Sequence, residues 1–233
     1  MIGFLIFLIC SNLFGFSFKT SEKLIYSAGF RFLSAGEASI ELTIDTLLND
    51  TVFKIQANTK TNPFFDRFYK IRDKVTIWVD PLNYELLKVD KNLLQGKYRR
   101  KHNAIINHQD STIITTETIK KIQFPVFDPI SVIYLLRLKI REIKQLGELH
   151  IYDLGKSRKV LFNITGKETV EVPYGVFSCF IVEPISNDNK ALLKNKGQMK
   201  IWYSDENFSL PVRIEQVTNI GIMIMELQKV IRS

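Results

Sequence analysis

Apolar residues recur at every second position through most of this sequence, and that period constrains the fold more than any other feature. Ala38, Ile40, Leu42 and Ile44 alternate with Ser39, Glu41, Thr43 and Asp45, and Phe53, Ile55 and Ala57 alternate with Lys54, Gln56 and Asn58. A strand sends successive side chains to opposite faces, so this spacing gathers the apolar set on one face, whereas a helix would scatter it. Ser34-Ala35-Gly36, Asn49-Asp50 and Gln109-Asp110-Ser111 read as turns between such strands. Runs at 72–79, 84–92, 96–106 and 112–119 continue the pattern, so the first half is expected to be a β-meander.

The period changes once. Asp128-Pro129 predicts a helix start, with Asp as N-cap and Pro at the first helical position. The helix is expected from Pro129 to about Gln145, with Gly147 as its C-terminal stop. From Ile130 to Leu138 it is apolar nearly all round apart from Ser131 and Arg137, as in a helix buried on most sides. Strands resume near Leu149 and continue to Ile231, with turns at Gly155, Gly166 and Tyr174-Gly175.

Several of these strands have no polar side. Ile222, Met223, Ile224 and Met225 occupy both faces, as do Val176, Phe177, Cys179 and Phe180. Two-sided burial needs a second layer, and a helix of about 17 residues, roughly 25 Å long, is too short to supply it for so many strands. The expected fold is therefore mainly β: a large curved antiparallel sheet or half-open barrel, with one central helix (about 129–145) packed on it. Such a sheet either curls on itself or encloses something apolar.

An internal echo appears at an offset of 124. Thr76-Ile77-Trp78 aligns with Lys200-Ile201-Trp202, Asn83-Tyr84 with Asn207-Phe208, and Leu86 with Leu210. It reads either as an ancient duplication, with related halves at about 22–120 and 147–231 flanking the helix, or as chance similarity of two hairpins. Trp78 and Trp202 are the only tryptophans in the chain.

Composition bounds the class and the compartment. With 45% hydrophobic and 24% charged residues the chain is not disordered, and 11 Gly with 7 Pro in 233 residues is not low-complexity. None of the 32 basic and 24 acidic residues falls within residues 1–17. Ile2 to Cys10 reads as the apolar region of a secretory signal peptide, and Gly15 and Ser17 place small residues before a cleavage at Phe18. An uncleaved amino-terminal membrane anchor and a lipidated Cys10 are the alternatives. Residues 18–233 are expected to form a single β-rich domain, exported to the periplasm or cell envelope. Cleavage leaves Cys179 alone in an apolar run, which reads as an inert core thiol.

The chemical inventory is thin. His102, His108 and His150 are the only histidines, and none sits in a His-Glu-x-x-His pattern. There is no nucleophile elbow, phosphate-binding loop or dinucleotide fingerprint. Asp66, Asp73, Asp80 and Asp205 could pair in space, and a hydrolase acting on envelope glycans would need two carboxylates about 5–10 Å apart. The reading is of a protein that is not an enzyme and carries neither cofactor nor metal.

Two segments stand out as surfaces. Asn62 to Tyr69 packs Phe64, Phe65, Phe68 and Tyr69 together, either as a core plug or as an aromatic lip over an apolar cavity. Five residues are candidates for the lining of that cavity: Trp78 or Trp202, together with some of Phe64, Phe65 and Tyr134. Lys97, Arg99, Arg100 and Lys101 lie on a strand with charges on both faces, which reads as a protected sheet edge or as a surface for an anionic partner such as lipid headgroups or polyanionic glycans. Nucleic acid is not expected for an exported chain.

The middle and end of the chain resemble a bacterial family. Phe127-Asp128-Pro129-Ile130-Ser131 with Tyr134 and Arg137 is similar to its Asp-Pro-hydrophobic-Ser … Tyr-x-x-Arg helix. Gly166-Lys167-Glu168-Thr169-Val170 with Pro173-Tyr174-Gly175-Val176-Phe177 resembles its Gly-x-Glu-x-Val … Pro-x-Gly-x-Phe hairpins. Trp202 followed by Pro211-Val212-Arg213 matches its closing pair, and Leu24-Ile25-Tyr26 with Ala35-Gly36-Glu37-Ala38 its opening hairpin. The family is domain of unknown function 3108, and the likeness covers about residues 22–230. It implies an exported β-rich protein and transfers no catalytic residue. It also implies a partner for Arg137, because the family pattern carries Glu at the position of Glu168; a structural ion pair Arg137–Glu168 is expected. The Trp … Pro-x-Arg hairpin is similar to one in periplasmic lipoprotein carriers, a fold-level analogy; the first copy departs from it, with Leu87 where the second has Pro211. The resulting expectation is a non-enzymatic envelope protein that binds a lipid or other apolar ligand. The alternative is a structural or interaction module whose core is filled by its own side chains.

Overall fold

The computed structural model describes residues 21–30, 33–141, 145–186, 199–206, 208–218 and 221–233. The expected leader, residues 1–17, lies outside these, as does Asn207. The first meander comprises β1 (Ser21–Phe30), β2 (Leu33–Leu47), β3 (Asp50–Thr61), β4 (Arg72–Val79), β5 (Leu86–Gln95) and β6 (Tyr98–Asn107), each antiparallel to the next. A four-residue helix, α1 (Pro63–Asp66), interrupts the β3–β4 connection. Then come β7 (Thr112–Thr115), β8 (Ile119–Lys121), β9 (Val126–Phe127) and the helix α2 (Pro129–Lys139). The second meander is β10 (Gln145–Asp153), β11 (Lys156–Val172), β12 (Gly175–Ser186), β13 (Met199–Ser204), β14 (Pro211–Thr218) and β15 (Gly221–Arg232).

All these strands belong to one sheet, in the order β8-β7-β6-β5-β4-β3-β2-β1-β15-β14-β13-β12-β11-β10-β9. The joint between the two meanders is β1 against β15, antiparallel, with Glu22 opposite Arg232. Only β9 and β10 pair in parallel among the described strands. The sheet curls. Lys91 of β5 reaches Asp153 of β10 at 2.7 Å, and His102 of β6 lies 3.0 Å from the Tyr152 hydroxyl of β10, although these strands stand near opposite ends of the order. The result is a half-open barrel with α2 held in its curve.

The alternating sequence sets this up. β1 buries Glu22, Leu24, Tyr26 and Ala28 and leaves the intervening residues half-exposed. Ile55, Ile77, Val89 and Ala104 lie opposite one another across β3 to β6, and all four are buried. Each fully buried Leu or Ile side chain contributes about 1.5–3 kcal/mol. The helix begins as its sequence predicts: Asp128 accepts from the Ile130 amide, and the Ser131 hydroxyl accepts from the Asp128 amide. Every residue from Ser131 to Arg137 is buried.

Three boundaries differ from expectation. The helix ends at Lys139, not near Gln145, because Lys139 and Arg141 are exposed and the buried volume ends with Ile140. Gly147, with φ +72°, lies inside β10, where the register against β11 slips between Gln145 and Glu148. Gly166 likewise marks a register slip within β11, not a turn. Ser34-Ala35-Gly36 belongs to β2; a Cβ on Gly36 would come 2.1 Å from the Lys60 carbonyl oxygen, so glycine there permits close strand approach.

The six-strand succession occurs twice. The strands β10 to β15 begin 123–127 residues after β1 to β6, in the same order. In both series the register slips immediately after tryptophan, between Trp78 and Val79 and between Trp202 and Tyr203.

Candidate functional site

The barrel interior, where a ligand was expected, is occupied by the helix and by a polar cluster. The Tyr203 hydroxyl donates to the Ile133 carbonyl at 3.2 Å, and the Tyr26 hydroxyl donates to the Pro211 carbonyl at 2.9 Å. Tyr134 stacks on Tyr84 with ring centroids 5.9 Å apart, and the Arg137 guanidinium carbon lies 5.2 Å from the Tyr134 ring centre. Arg137 is the charged centre of this group. It pairs with Glu22 of β1, which Arg232 of β15 also contacts at 3.0 Å. Burial raises the phenols of Tyr26, Tyr134 and Tyr203 far above their ordinary range and that of Tyr84 to about 12, so all four remain neutral.

The partner of Arg137 is therefore Glu22, and the expected pair with Glu168 does not form. Glu168 lies on β11 and accepts the indole N–H of Trp202 at 2.5 Å. The strand registers explain this division. Trp202 stands opposite Ile181 and Arg213, on the outer face, whereas Ile201 stands opposite Val182 and Ile214, all three buried inside. Glu22 carries a sequence signal that was passed over: it sits in phase with Leu24, Tyr26 and Ala28 on the buried side of β1. Lys91, in phase with Val89, and His102, in phase with Ala104 and Ile106, carry the same signal.

Those two form a second buried group at the seam between β6 and β10. Lys91 lies 2.6 Å from Asp128, the N-cap of α2, and 2.7 Å from Asp153. Burial opposes the ammonium charge, but the two carboxylates outweigh it and raise the Lys91 pKa. His102 is shifted the other way, lowered by burial and by the neighbouring charge of Lys91. These groups brace the helix start against both meanders, and their charges are consumed by one another.

The five candidates for the lining of one cavity do not come together. Tyr134 is inside. Trp78 is on the outer face, donating to Asp45 at 3.0 Å with the Lys88 ammonium 4.5 Å from its ring centre. Trp202 repeats that arrangement with Glu168 as acceptor and Arg213 5.8 Å from its ring. An indole N–H needs a polar partner, and in both copies a carboxylate outside the barrel supplies it. Phe65 is half-buried, while Phe64 is 61% exposed and Phe68 73% exposed.

Phe64 and Phe68 protrude from one end of the sheet, beside the β5–β6 turn. Asn62 holds α1 in place: its side chain accepts from the Phe65 amide at 3.0 Å, and its amide donates to the Ala35 carbonyl at 2.8 Å. Arg72 grips Asp66 through both terminal nitrogens. The Gly96 amide donates to the Lys70 carbonyl at 2.8 Å, and the Tyr69 ring occupies the space where a Cβ on Gly96 would stand. Lys97, Arg99, Arg100 and Lys101 are all exposed on the turn and the first residues of β6. A cleft of about 430 Å³ beside α1 is lined by polar groups, Glu37, Lys60, Thr61 and Arg72 among them.

Among the described residues, no three His, Cys, Asp or Glu side chains converge as metal ligands. No described helix is long and apolar enough to cross a membrane. The family model described as "Protein of unknown function (DUF3108)" matches residues 25–228. Among curated proteins, none matches the sequence. Among solved structures, the chain is similar to the crystal structure of a beta-barrel-like protein of domain of unknown function DUF1849 from Brucella abortus. That likeness has a TM-score of 0.60 at 7% sequence identity, covering 92% of this chain and 98% of the other. At so low an identity the likeness is one of fold.

Proposed function

This chain belongs to the DUF3108 family, and we propose that it is an exported, non-enzymatic module of the cell envelope that acts through its outer surface. The observation that carries this reading is the filled interior. Seven consecutive residues of α2 are buried in the curve of the sheet, and Tyr203 and the Glu22–Arg137 pair fasten the helix there. A lipid carrier needs that volume for acyl chains. To open it, α2 would have to leave the sheet and break the Glu22–Arg137 pair, leaving Glu22 with Arg232 alone. The apolar, uncharged segment at residues 1–17 supports export.

Native mass spectrometry of the chain purified from its own envelope tests both parts at once. The expected mass is that of a chain beginning near Phe18 with no lipid adduct, and an apolar fluorophore is expected to find no site. A retained lipid, or saturable fluorophore uptake, would overturn the filled-core reading in favour of a carrier. A mass that includes Met1 would replace the cleaved signal by an anchor.

A further inference from the structure

We propose that the end of the sheet carrying α1 and the β5–β6 turn docks on an anionic lipid bilayer, with its cations on the headgroups and Phe64 and Phe68 inserted between them. This deepens the surface-acting reading by naming the partner, and it stands on three observations.

The first is apolar. Two phenyl rings, Phe64 and Phe68, project at one place with centroids 5.5 Å apart and most of their surface in water. Scattered exposed apolar residues need no explanation, but an adjoining pair with no polar handle marks a contact surface.

The second is electrostatic. Arg67 and Lys70 flank Phe68 in sequence, Lys97 follows Gly96, whose amide bonds the Lys70 carbonyl, and Arg100 and Lys101 continue along β6. All five are exposed, and none forms an ion pair among the described residues. The nearby carboxylates are spent: Asp66 is held by Arg72 and Thr61, and Asp73 accepts from the Leu94 amide and the Gln95 side chain. What remains is unbalanced positive charge beside apolar rings. An anionic bilayer surface offers the complement to both, attracting Lys and Arg within a Debye length and receiving aromatic side chains at headgroup depth.

The third is rigidity. The Asn62 cap, the Arg72–Asp66 grip and the Tyr69–Gly96 packing fix the loop before any partner arrives, so docking has little ordering entropy to overcome. A polyanionic glycan or a nucleic acid would use the cations but leave the rings wet or require flat stacking. Here Phe64 meets Phe65 at 80° and Phe68 at 59°, a knob and not a platform.

The test is flotation of the full chain with vesicles of phosphatidylglycerol and phosphatidylcholine in equal parts, against phosphatidylcholine alone. All variants share one amino terminus, so differences between them report the patch. Each cation near the surface is worth roughly fivefold in affinity. Lys97→Glu with Arg100→Glu should therefore weaken binding to the anionic vesicles more than about tenfold, while Lys120→Glu, on β8 in the row of Ile113 and Ile106 and so at the far end of β6 from the β5–β6 turn, leaves it unchanged. Phe64→Ser with Phe68→Ser should also weaken it. Phe68→Trp in the otherwise intact chain should shift its emission to the blue on binding, a readout that survives if the double Ser variant fails to fold. Equal binding to both vesicle types, or no blue shift, overturns the proposal. So does heparin or poly(U) bound as tightly by the Ser variant as by wild type, in favour of a polyanion surface. None of these outcomes depends on whether the barrel interior takes up a fluorophore.

Discussion

Arg137 and Glu22 meet in the barrel interior across 115 residues of sequence, with Nη1 and Nη2 of the guanidinium 2.5 and 3.2 Å from the two carboxylate oxygens. Burial alone would raise the Glu22 pKa, but Arg137 and Arg232 outweigh it and hold the carboxyl below its ordinary value. The pair joins the helix to the strand at the joint of the two meanders. Losing one member of a buried pair costs about 3–5 kcal/mol where the other charge is left alone; Arg232 still meets Glu22, so removing Arg137 should cost less than that. Arg137→Met is expected to lower the unfolding free energy, read from urea denaturation, by up to about 3 kcal/mol, and Arg137→Met with Glu22→Gln to recover part of the loss. Strictly additive losses in the cycle would show that the two do not act together.

Stability should fall in acid along two limbs. The His102 pKa is lowered from 6.5, so the folded ring stays neutral; its contribution is full above that value and is lost as pH falls towards the folded pKa. Glu22 is lowered from 4.5, so its contribution is full above that value and is lost as pH falls through the folded pKa. Urea midpoints between about pH 3 and 8 should show both. His102→Gln should flatten the upper limb and Glu22→Gln the lower, and a wild-type curve level throughout would contradict both assignments.

Much of this architecture was legible, and the reason is the period. Strand side chains alternate strictly, so Ile40-Glu41-Leu42 or Phe53-Lys54-Ile55 declares its own buried face. Asp128-Pro129 declares the helix just as locally, through a cap that needs only neighbouring residues. Pairings across the sheet are another matter. Glu22 and Arg137 meet only because β1 and α2 converge, and no spacing rule connects them. A carboxylate in phase with Leu24 and Tyr26 does show that something must neutralise it inside. Gly147 and Gly166 misled because a positive φ or a missing side chain serves a bulge as readily as a turn. Trp78 and Trp202 are out of phase with the neighbouring Ile77 and Ile201, which puts them on opposite faces, but which face encloses the interior depends on the direction of curl.

The two tryptophans share an arrangement but not a depth. Trp202 is 5% exposed, and Trp78 is half-exposed beneath Lys88. Trp202→Ala should cost about 3–5 kcal/mol, and Trp78→Ala under about 2 kcal/mol, since less apolar area returns to water. Acrylamide should quench the Trp202→Phe variant, which keeps Trp78, more than the Trp78→Phe variant. The reverse order would place the two rings wrongly.

Cys179 should be silent in the native state. Its thiol is fully buried, and burial, with the nearby Glu168 charge, pushes its pKa up to about 12. Thiolate is the reactive form. Labelling with a disulfide reagent, read on the peptide containing Cys179, should proceed only at the rate of global unfolding. Rapid labelling of the folded chain would mean that this part of the sheet opens on its own.

The joint between β1 and β15 also sets when the molecule can exist. Ser21 and Ser233 exchange backbone hydrogen bonds at 3.1 and 3.2 Å, so the first described strand is paired on one side by residues that follow it 212 positions later. Until those residues emerge, β1 has an open edge in the middle of the sheet, and Glu22 lacks Arg232. Contacts so distant in sequence are slow to form because their loop closure must be completed first. A growing chain is thus kept from closing its sheet until β15 has been made, and a product truncated before β15 lacks the β1–β15 joint.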